Sequence, residues 1–303
     1  MRKFLICGLL LSVAPIQAQT VKFGDLNYFL SAGQMNAGAG ILWNNENSKI
    51  GGIKEEAEAY LVDTHFNYGL MDNLTLHLGL GYAFLAEAKT GDSTWDVDGL
   101  RALELGAEYR LFNQKNAGIN FDFGVNARVN ELFDREFGGT SPKRDGNTFS
   151  PFMSTQDEAR NSLEVFAKTG LKTDEANEFL FKAALVYNQS GSVEDLSNDV
   201  TVNLDSSLNF KLGAFYQYRP VNEMMFTLGL EGIHYGEVTA ERMADMESFT
   251  DVRFSFAAKF LVTDNLIARF DFTKDRRDTI ETDGSSVKKR QSTQYGFGVD
   301  YLF

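Results

Sequence analysis

Gln294-Tyr295-Gly296-Phe297-Gly298-Val299-Asp300-Tyr301-Leu302-Phe303 carries large apolar residues at every second position: Tyr295, Phe297, Val299, Tyr301 and Phe303. Small or polar residues fill most of the gaps: Gln294, Gly296, Gly298 and Asp300. Period two is the signature of a strand with one apolar and one wet face. A closing strand of a soluble sandwich and a strand of a membrane barrel both fit it, so the rest of the chain must separate them.

At the other end, Met1-Arg2-Lys3 is a short basic start and Phe4 to Ala14 is apolar except for Ser12. Pro15-Ile16-Gln17-Ala18 then supplies a small residue before Gln19. This predicts a secretory signal peptide over residues 1–18, cleaved after Ala18. The apolar run is too short to span a bilayer as a helix, and no other long apolar run follows. Cys7 lies within the signal core, so the exported chain is expected to hold no cysteine, no disulfide framework and no thiol chemistry. Removing 18 of the 303 residues leaves 285, ample for a single domain over 19–303.

The formal charge of −13 becomes −15 once Arg2 and Lys3 leave with the signal. Such a charge argues against a general nucleic-acid binder. The mean hydropathy is slightly negative, as in a soluble protein. A membrane barrel scores the same way, because only alternate residues of its strands face lipid.

Tight connections recur at Met71-Asp72-Asn73, Asn113-Gln114-Lys115-Asn116, Thr173-Asp174-Glu175-Ala176, Pro220-Val221-Asn222 and Thr263-Asp264-Asn265. Asn and Asp suit them because they tolerate left-handed backbone and bond to it locally. Longer polar segments fall near 44–53, 89–98, 132–158, 191–203, 238–248 and 281–288. Twelve strands are predicted between these connections: 28–43, 54–69, 74–88, 99–112, 117–131, 159–172, 177–190, 204–219, 224–237, 249–262, 266–280 and 289–303, each end good to about three residues. Leu74, Leu76, Leu78, Leu80, Tyr82 and Phe84 form one face, opposite Thr75, His77, Gly79, Gly81 and Ala83. Val252, Phe254, Phe256, Ala258 and Phe260 likewise oppose Arg253, Ser255, Ala257 and Lys259. Gly33, Gly38 and Gly40 weaken the first strand. In the ninth, Ile233 and Tyr235 fall out of phase with Phe226, Leu228 and Leu230, which predicts a β-bulge near Gly232.

These strands are longer than the five or six residues usual in soluble sheets and match the roughly nine to eleven of tilted bilayer-crossing strands. Short turns alternate with long loops. With the export signal, the alternation and the terminal Phe303, the chain resembles the bacterial outer-membrane β-barrels over essentially its whole mature length. No single family within that class is identified. The resemblance implies an all-β, up-and-down antiparallel barrel of about twelve strands, with both termini and the tight turns in the periplasm. It also implies export through the inner membrane and residence in the outer membrane, among its lipid and lipopolysaccharide. Tyr295, Phe297, Val299, Tyr301 and Phe303 would be the barrel-closing signal read by the barrel assembly machinery. Oligomeric state is not legible.

If the aromatic face meets lipid, parity turns Arg110, Arg128, Lys168, Lys172, Lys182, Lys211, Arg219, Arg253, Lys259, Arg269 and Arg290 inward, with Asp63, Glu104, Glu108, Asp122, Glu164, Glu231, Asp271 and Asp300. That wall is slightly basic, and the excess acid lies in the loops. These charges either pair across strands and fill the barrel or line a narrow pore, in which Arg110, Arg128, Lys168, Lys182, Lys211, Arg253, Lys259, Arg269 and Asp271 are the candidate lining residues. A three-residue turn pairing Val262 with Leu266 would set Lys259 opposite Arg269, with Asp271 as the nearby carboxylate. The segment 132–158 either folds inward or stays on the surface.

No cofactor is expected. The weak candidate for a metal is the pair His65 and His77: if Tyr68 pairs with Leu74, these histidines stand opposite each other. Some twelve-strand barrels are lipid hydrolases, which need a Ser–His pair near the outer leaflet. Only His234 lies towards that rim, no serine is placed beside it, and no His-x-Ser-Asn-Gly-Arg signature occurs. The reading is therefore a non-enzymatic, narrow passive channel for small hydrophilic or anionic solutes. The alternatives are a structural or adhesive barrel acting through its loops and, last, a lipid-modifying enzyme.

Overall fold

The computed structural model describes residues 29–50, 53–90, 93–96, 99–112, 119–129, 161–195, 200–237, 248–277, 280–282 and 285–303. The expected signal peptide, the segment 132–158 and the turn at 113–116 lie outside the described residues. In chain order the strands are β1 (Met35–Ile50), β2 (Ile53–Met71), β3 (Leu74–Thr90), β4 (Ser93–Asp96), β5 (Gly99–Phe112), β6 (Ile119–Val129), β7 (Ser162–Lys172), β8 (Asn177–Asn188), β9 (Gly191–Asp195), β10 (Val200–Leu204), β11 (Ser207–Val221), β12 (Met224–Tyr235), β13 (Phe249–Leu261), β14 (Leu266–Arg277), β15 (Ile280–Thr282) and β16 (Ser285–Leu302).

Twelve of them form the wall, in the order β1-β2-β3-β5-β6-β7-β8-β11-β12-β13-β14-β16, and β16 pairs back onto β1. All wall pairings are antiparallel between sequence neighbours, apart from the closing one. Closure removes the unpaired edges that an open sheet would expose to hydrocarbon. The four remaining strands are short. β4 and β15 extend β3 and β16, and β9 with β10 forms a separate hairpin.

Alternation sets the two faces. Leu76, Leu78, Leu80 and Tyr82 on β3, Phe179, Phe181, Leu185 and Tyr187 on β8, and Leu208, Phe210 and Leu212 on β11 all stand exposed on the outer surface. Outer rings also meet across strands: Trp43 stacks on Tyr295 at 5.3 Å, and Phe270 lies 5.1 Å from Phe297. Thr75, Glu108, Arg110, Asn120, Asp122, Gln217 and Asp300 occupy the opposite, inward positions and are buried.

Three expectations change. The first strand runs from Met35 rather than from residue 28, and it extends to Ile50, where Ile50 pairs with Ile53. Much of the polar segments 44–53, 89–98 and 191–203 is thus paired strand, not loop: Thr90 pairs with Ser93, and Val202 with Val193. Polar side chains do not prevent pairing of backbone groups beyond the apolar band. Finally, there is no bulge at Gly232. The register of β12 with β13 is unbroken from Met224↔Phe260 to Tyr235↔Phe249, so Ile233 keeps its inward parity and is buried inside the barrel.

Candidate functional site: the charged inner wall

The inward side chains are joined along the wall by short polar contacts. Asn67 Nδ2 on β2 donates to Asn36 Oδ1 on β1 at 3.1 Å. His77 Nδ1 on β3 meets Asn67 Oδ1 at 2.7 Å, and its Nε2 lies 3.8 Å from Glu108 on β5. The Lys168 ammonium on β7 reaches the same Glu108 at 2.5 Å. Between them, Arg110 binds Asp122 bidentately, through Nε at 2.8 Å and Nη2 at 3.1 Å. Glu164 on β7 accepts from Lys182 on β8 at 2.7 Å and from Lys211 on β11 at 2.9 Å. Arg253 on β13 links Asp275 on β14 with Glu231 on β12.

A second cluster spans the closing seam. Arg269 on β14 meets Asp271 at 2.8 Å, Asp300 on β16 at 3.7 Å and Asp63 on β2 at 3.9 Å. His65 Nε2 on β2 lies 3.3 Å from Asp300. Arg269 reaches across two strands because those strands are bare there. A Cβ on Gly298 would lie 3.1 Å from the Arg269 Nη2 atom, and one on Gly40 at 3.3 Å. A Cβ on Gly38 would fall 2.2 Å from Asp300 Oδ1 and 2.4 Å from His65 Cε1. Gly38 and Gly40, two of the three glycines that weaken the first strand in sequence, are the space into which this cluster folds.

Lys259 stands directly opposite Arg269, in the register expected from the turn at Thr263–Asn265. Lys259 makes no ion pair with a carboxylate among the described residues, whereas Arg269 takes three. Lys168 and Lys182 form a second like-charge pair in direct register. They are held apart by different carboxylates, and both ammoniums lie over the Phe166 ring, at 5.5 and 4.8 Å. That ring lies flat on the wall because Gly124 is beneath it, where a Cβ would come within 2.0 Å of Phe166 Cζ.

Access to this wall is uneven. Glu104 and Asp63 side chains are 59 % and 41 % exposed, with Arg128, Arg253 and Asp271 about a third. These positions lie midway along the wall or towards the long-loop rim. At the tight-turn end the inward groups are packed: Asn120 and Asp122 are 0 % exposed and Gln217 is 2 %. Inward groups are also packed at the long-loop ends of β8, β11, β12 and β13, where Asn188, Asn209, Ile233 and Asp251 are buried, so the polar lumen is unevenly filled, with packed groups at both ends.

The candidate residues Arg110, Arg128, Lys168, Lys182, Lys211, Arg253, Lys259, Arg269 and Asp271 all face this interior. The Arg290 side chain lies outside the described residues. Sequence reasoning omitted Glu178, Asp251 and Asp275, which also face inward: the first two are buried, and Asp275 binds Arg253. The same alternation reaches all three. Counting them removes the basic excess expected of the wall.

His65 and His77 do not face each other. Tyr68 pairs with Leu76 rather than Leu74, so Asn67 lies opposite His77 and Gly79 opposite His65. The cause is the turn: the strands run on to Met71 and Leu74 and leave only Asp72-Asn73 between them, where opposing the histidines would need a five-residue connection, and a register shift between Gly69 and Met71 then moves the pairing by one residue. No group of three metal-binding side chains occurs among the described residues. His234 points outward and its Nδ1 lies 3.2 Å from the Thr250 hydroxyl.

No family model matches the chain, and no curated protein resembles it significantly. Solved structures do. The COG4313 outer membrane channel from Pseudomonas putida F1 is 15% identical, with a TM-score of 0.56 over 96% of this chain and 100% of that one. The transport unit of the autotransporter AIDA-I from Escherichia coli is 12% identical, with a TM-score of 0.52 over 94% and 95%. The translocator domain of autotransporter NalP from Neisseria meningitidis is 10% identical, with a TM-score of 0.50 over 90% of each. The chain thus has the fold of an outer-membrane β-barrel. At these identities the likeness defines the fold and leaves the activity open.

Proposed function

We propose that the protein is exported behind a signal peptide at residues 1–18, inserted into the outer membrane by the barrel assembly machinery, and acts there as a narrow passive channel for small hydrophilic solutes. The tight turns and both termini then face the periplasm, and the long-loop rim faces lipopolysaccharide and the exterior. The observation that carries this reading is the inner wall. An apolar outer face with a continuous charged inner face is the arrangement of a water-filled barrel. A wall meant only to fill a barrel would not leave inward Glu104, Asp63, Arg128 and Arg253 partly exposed. A preference for anions would depend on Lys259 beside Arg269, because the inward charges elsewhere on the wall carry no basic excess.

The test is single-channel recording of the refolded protein in a planar bilayer, with reversal potentials under a salt gradient. Wild type should conduct. Lys259→Glu with Arg269→Glu should move selectivity towards cations, less so at high salt because screening shortens the reach of wall charges. Absence of current in both proteins would overturn the channel. The loops would then be the better seat of function, a reading favoured by the β9–β10 hairpin and by the continuation of β1, β2 and β3 as paired strand at that rim.

A further inference from the structure

The chain that leads into β1 does not continue away from the barrel. Ser31 O accepts from Gln34 N at 3.0 Å, closing a four-residue turn. Gly33 sits third in that turn with φ +81°, the left-handed value that a type II turn requires of its third residue. The turn folds the chain back over the tight-turn mouth. Gly33 N donates to Gly69 O at 2.8 Å, Gly69 N to Gln34 O at 2.9 Å, and Ala32 N to the Asp72 carboxylate at 3.0 Å. Beyond the turn, Leu30 packs on Leu302, an inward residue of the closing strand, and both are 2 % exposed. Phe29 reaches further in, with its ring 4.5 Å from the Arg110 guanidinium on β5.

We propose that residues Phe29–Gln34 are a latch that closes the tight-turn mouth and must swing out for current to pass. The inference rests on the channel reading above. The latch is built to be released. Among the described residues its anchorage is one apolar pair, one cation–π contact, two backbone–backbone hydrogen bonds and one from Ala32 N to the Asp72 carboxylate, a small set beside the ladder of a wall strand. Its hinge is a single residue, Gly33, whose conformation other L-residues adopt only with strain. Gly69 is its seat: a Cβ there would lie 2.1 Å from Ser31 O and 2.9 Å from Leu30 O. The wall is thus shaped to accept the returning chain, and a bare glycine is the condition for docking.

Two variants release the latch by different means. Gly33→Ala strains the hinge without a clash, since no atom lies within 4 Å of the added carbon. It should shift the docked–undocked ratio by roughly ten-fold. Gly69→Ala blocks the seat. Docking is read separately from current, by maleimide labelling of Leu30→Cys in the mature chain 19–303, whose sequence holds no other cysteine. The thiol should be protected when the latch is intact and label roughly ten-fold faster with Gly33→Ala. In planar bilayers both release variants should conduct more, or stay open longer, than wild type. Rapid labelling of Leu30→Cys with the latch unaltered would overturn the latch. Faster labelling with wild-type current unchanged would make the segment a structural cap and overturn the gate alone. Silence of every protein would overturn the gate together with the channel reading.

Discussion

At the scale of single residues, burial decides what each inner charge is worth. Asp122 is fully buried and holds Arg110 bidentately. Asp122→Ala therefore removes the bidentate carboxylate of a buried guanidinium and should cost on the order of 3–5 kcal/mol. Glu104→Ala removes a partner of Arg128 from a largely exposed pair at 3.8 Å and should cost at most about 1 kcal/mol. Urea unfolding of the refolded barrels in detergent micelles, followed by tryptophan fluorescence, checks both. Equal losses would mean that the turn-end layer is not the dry, packed region described. Which residues face inward was legible, because parity is local. What each one binds was not. Arg269 finds Asp63 on a strand brought near only when the barrel closes, and Lys168 finds Glu108 beyond an intervening strand.

At the scale of elements, the tight turns carry their own chemistry. Asp174 Oδ1 accepts from the Ala176 and Asn177 backbone N–H groups at 2.8 and 2.9 Å, and the Asn177 amide donates to both carboxylate oxygens. The Asn177 side chain first, and then the Ala176 N–H, hold the Asp174 carboxyl below its ordinary range. A depressed folded pKa means that the turn's contribution is fully present above the unfolded value of about 3.9. It is lost as pH falls through the folded value. Asp174→Ala should therefore lower the melting temperature at neutral pH, with the gap to wild type closing in acid. A gap that persists below the folded pKa would argue for a packing effect instead. The turns were readable because Asn and Asp act within three residues of themselves. The exact register of the first hairpin was not: strands that run on to Met71 and Leu74, with a shift between Gly69 and Met71, leave the residue types around the turn unchanged and set the two histidines apart.

At the scale of the whole molecule, closure is the event on which the rest depends. β1 and β16 pair from Asn36↔Leu302 to Ile50↔Val287, and the seam ends where Phe303 N donates to Met35 O at 2.8 Å. We propose that Phe303 serves both as the assembly signal and as the last rung of this seam. Deleting it should lower outer-membrane yield and leave protein in the periplasm. The check is the heat-modifiable band on an unboiled gel, and a normal band would argue against the assignment. The sequence by itself determined the all-β class, the twelve wall strands, the tight turns that join them, and the inward parity of the charges. Each follows from a period of two or from turn residues, both of which act between near neighbours. Only the tertiary structure decided which charges meet, where the lumen is filled, why the first strand needs its glycines, and that the chain before it returns into the mouth. Those depend on a closed wall, which brings residues from opposite ends of the chain, such as Leu30 and Leu302, into contact.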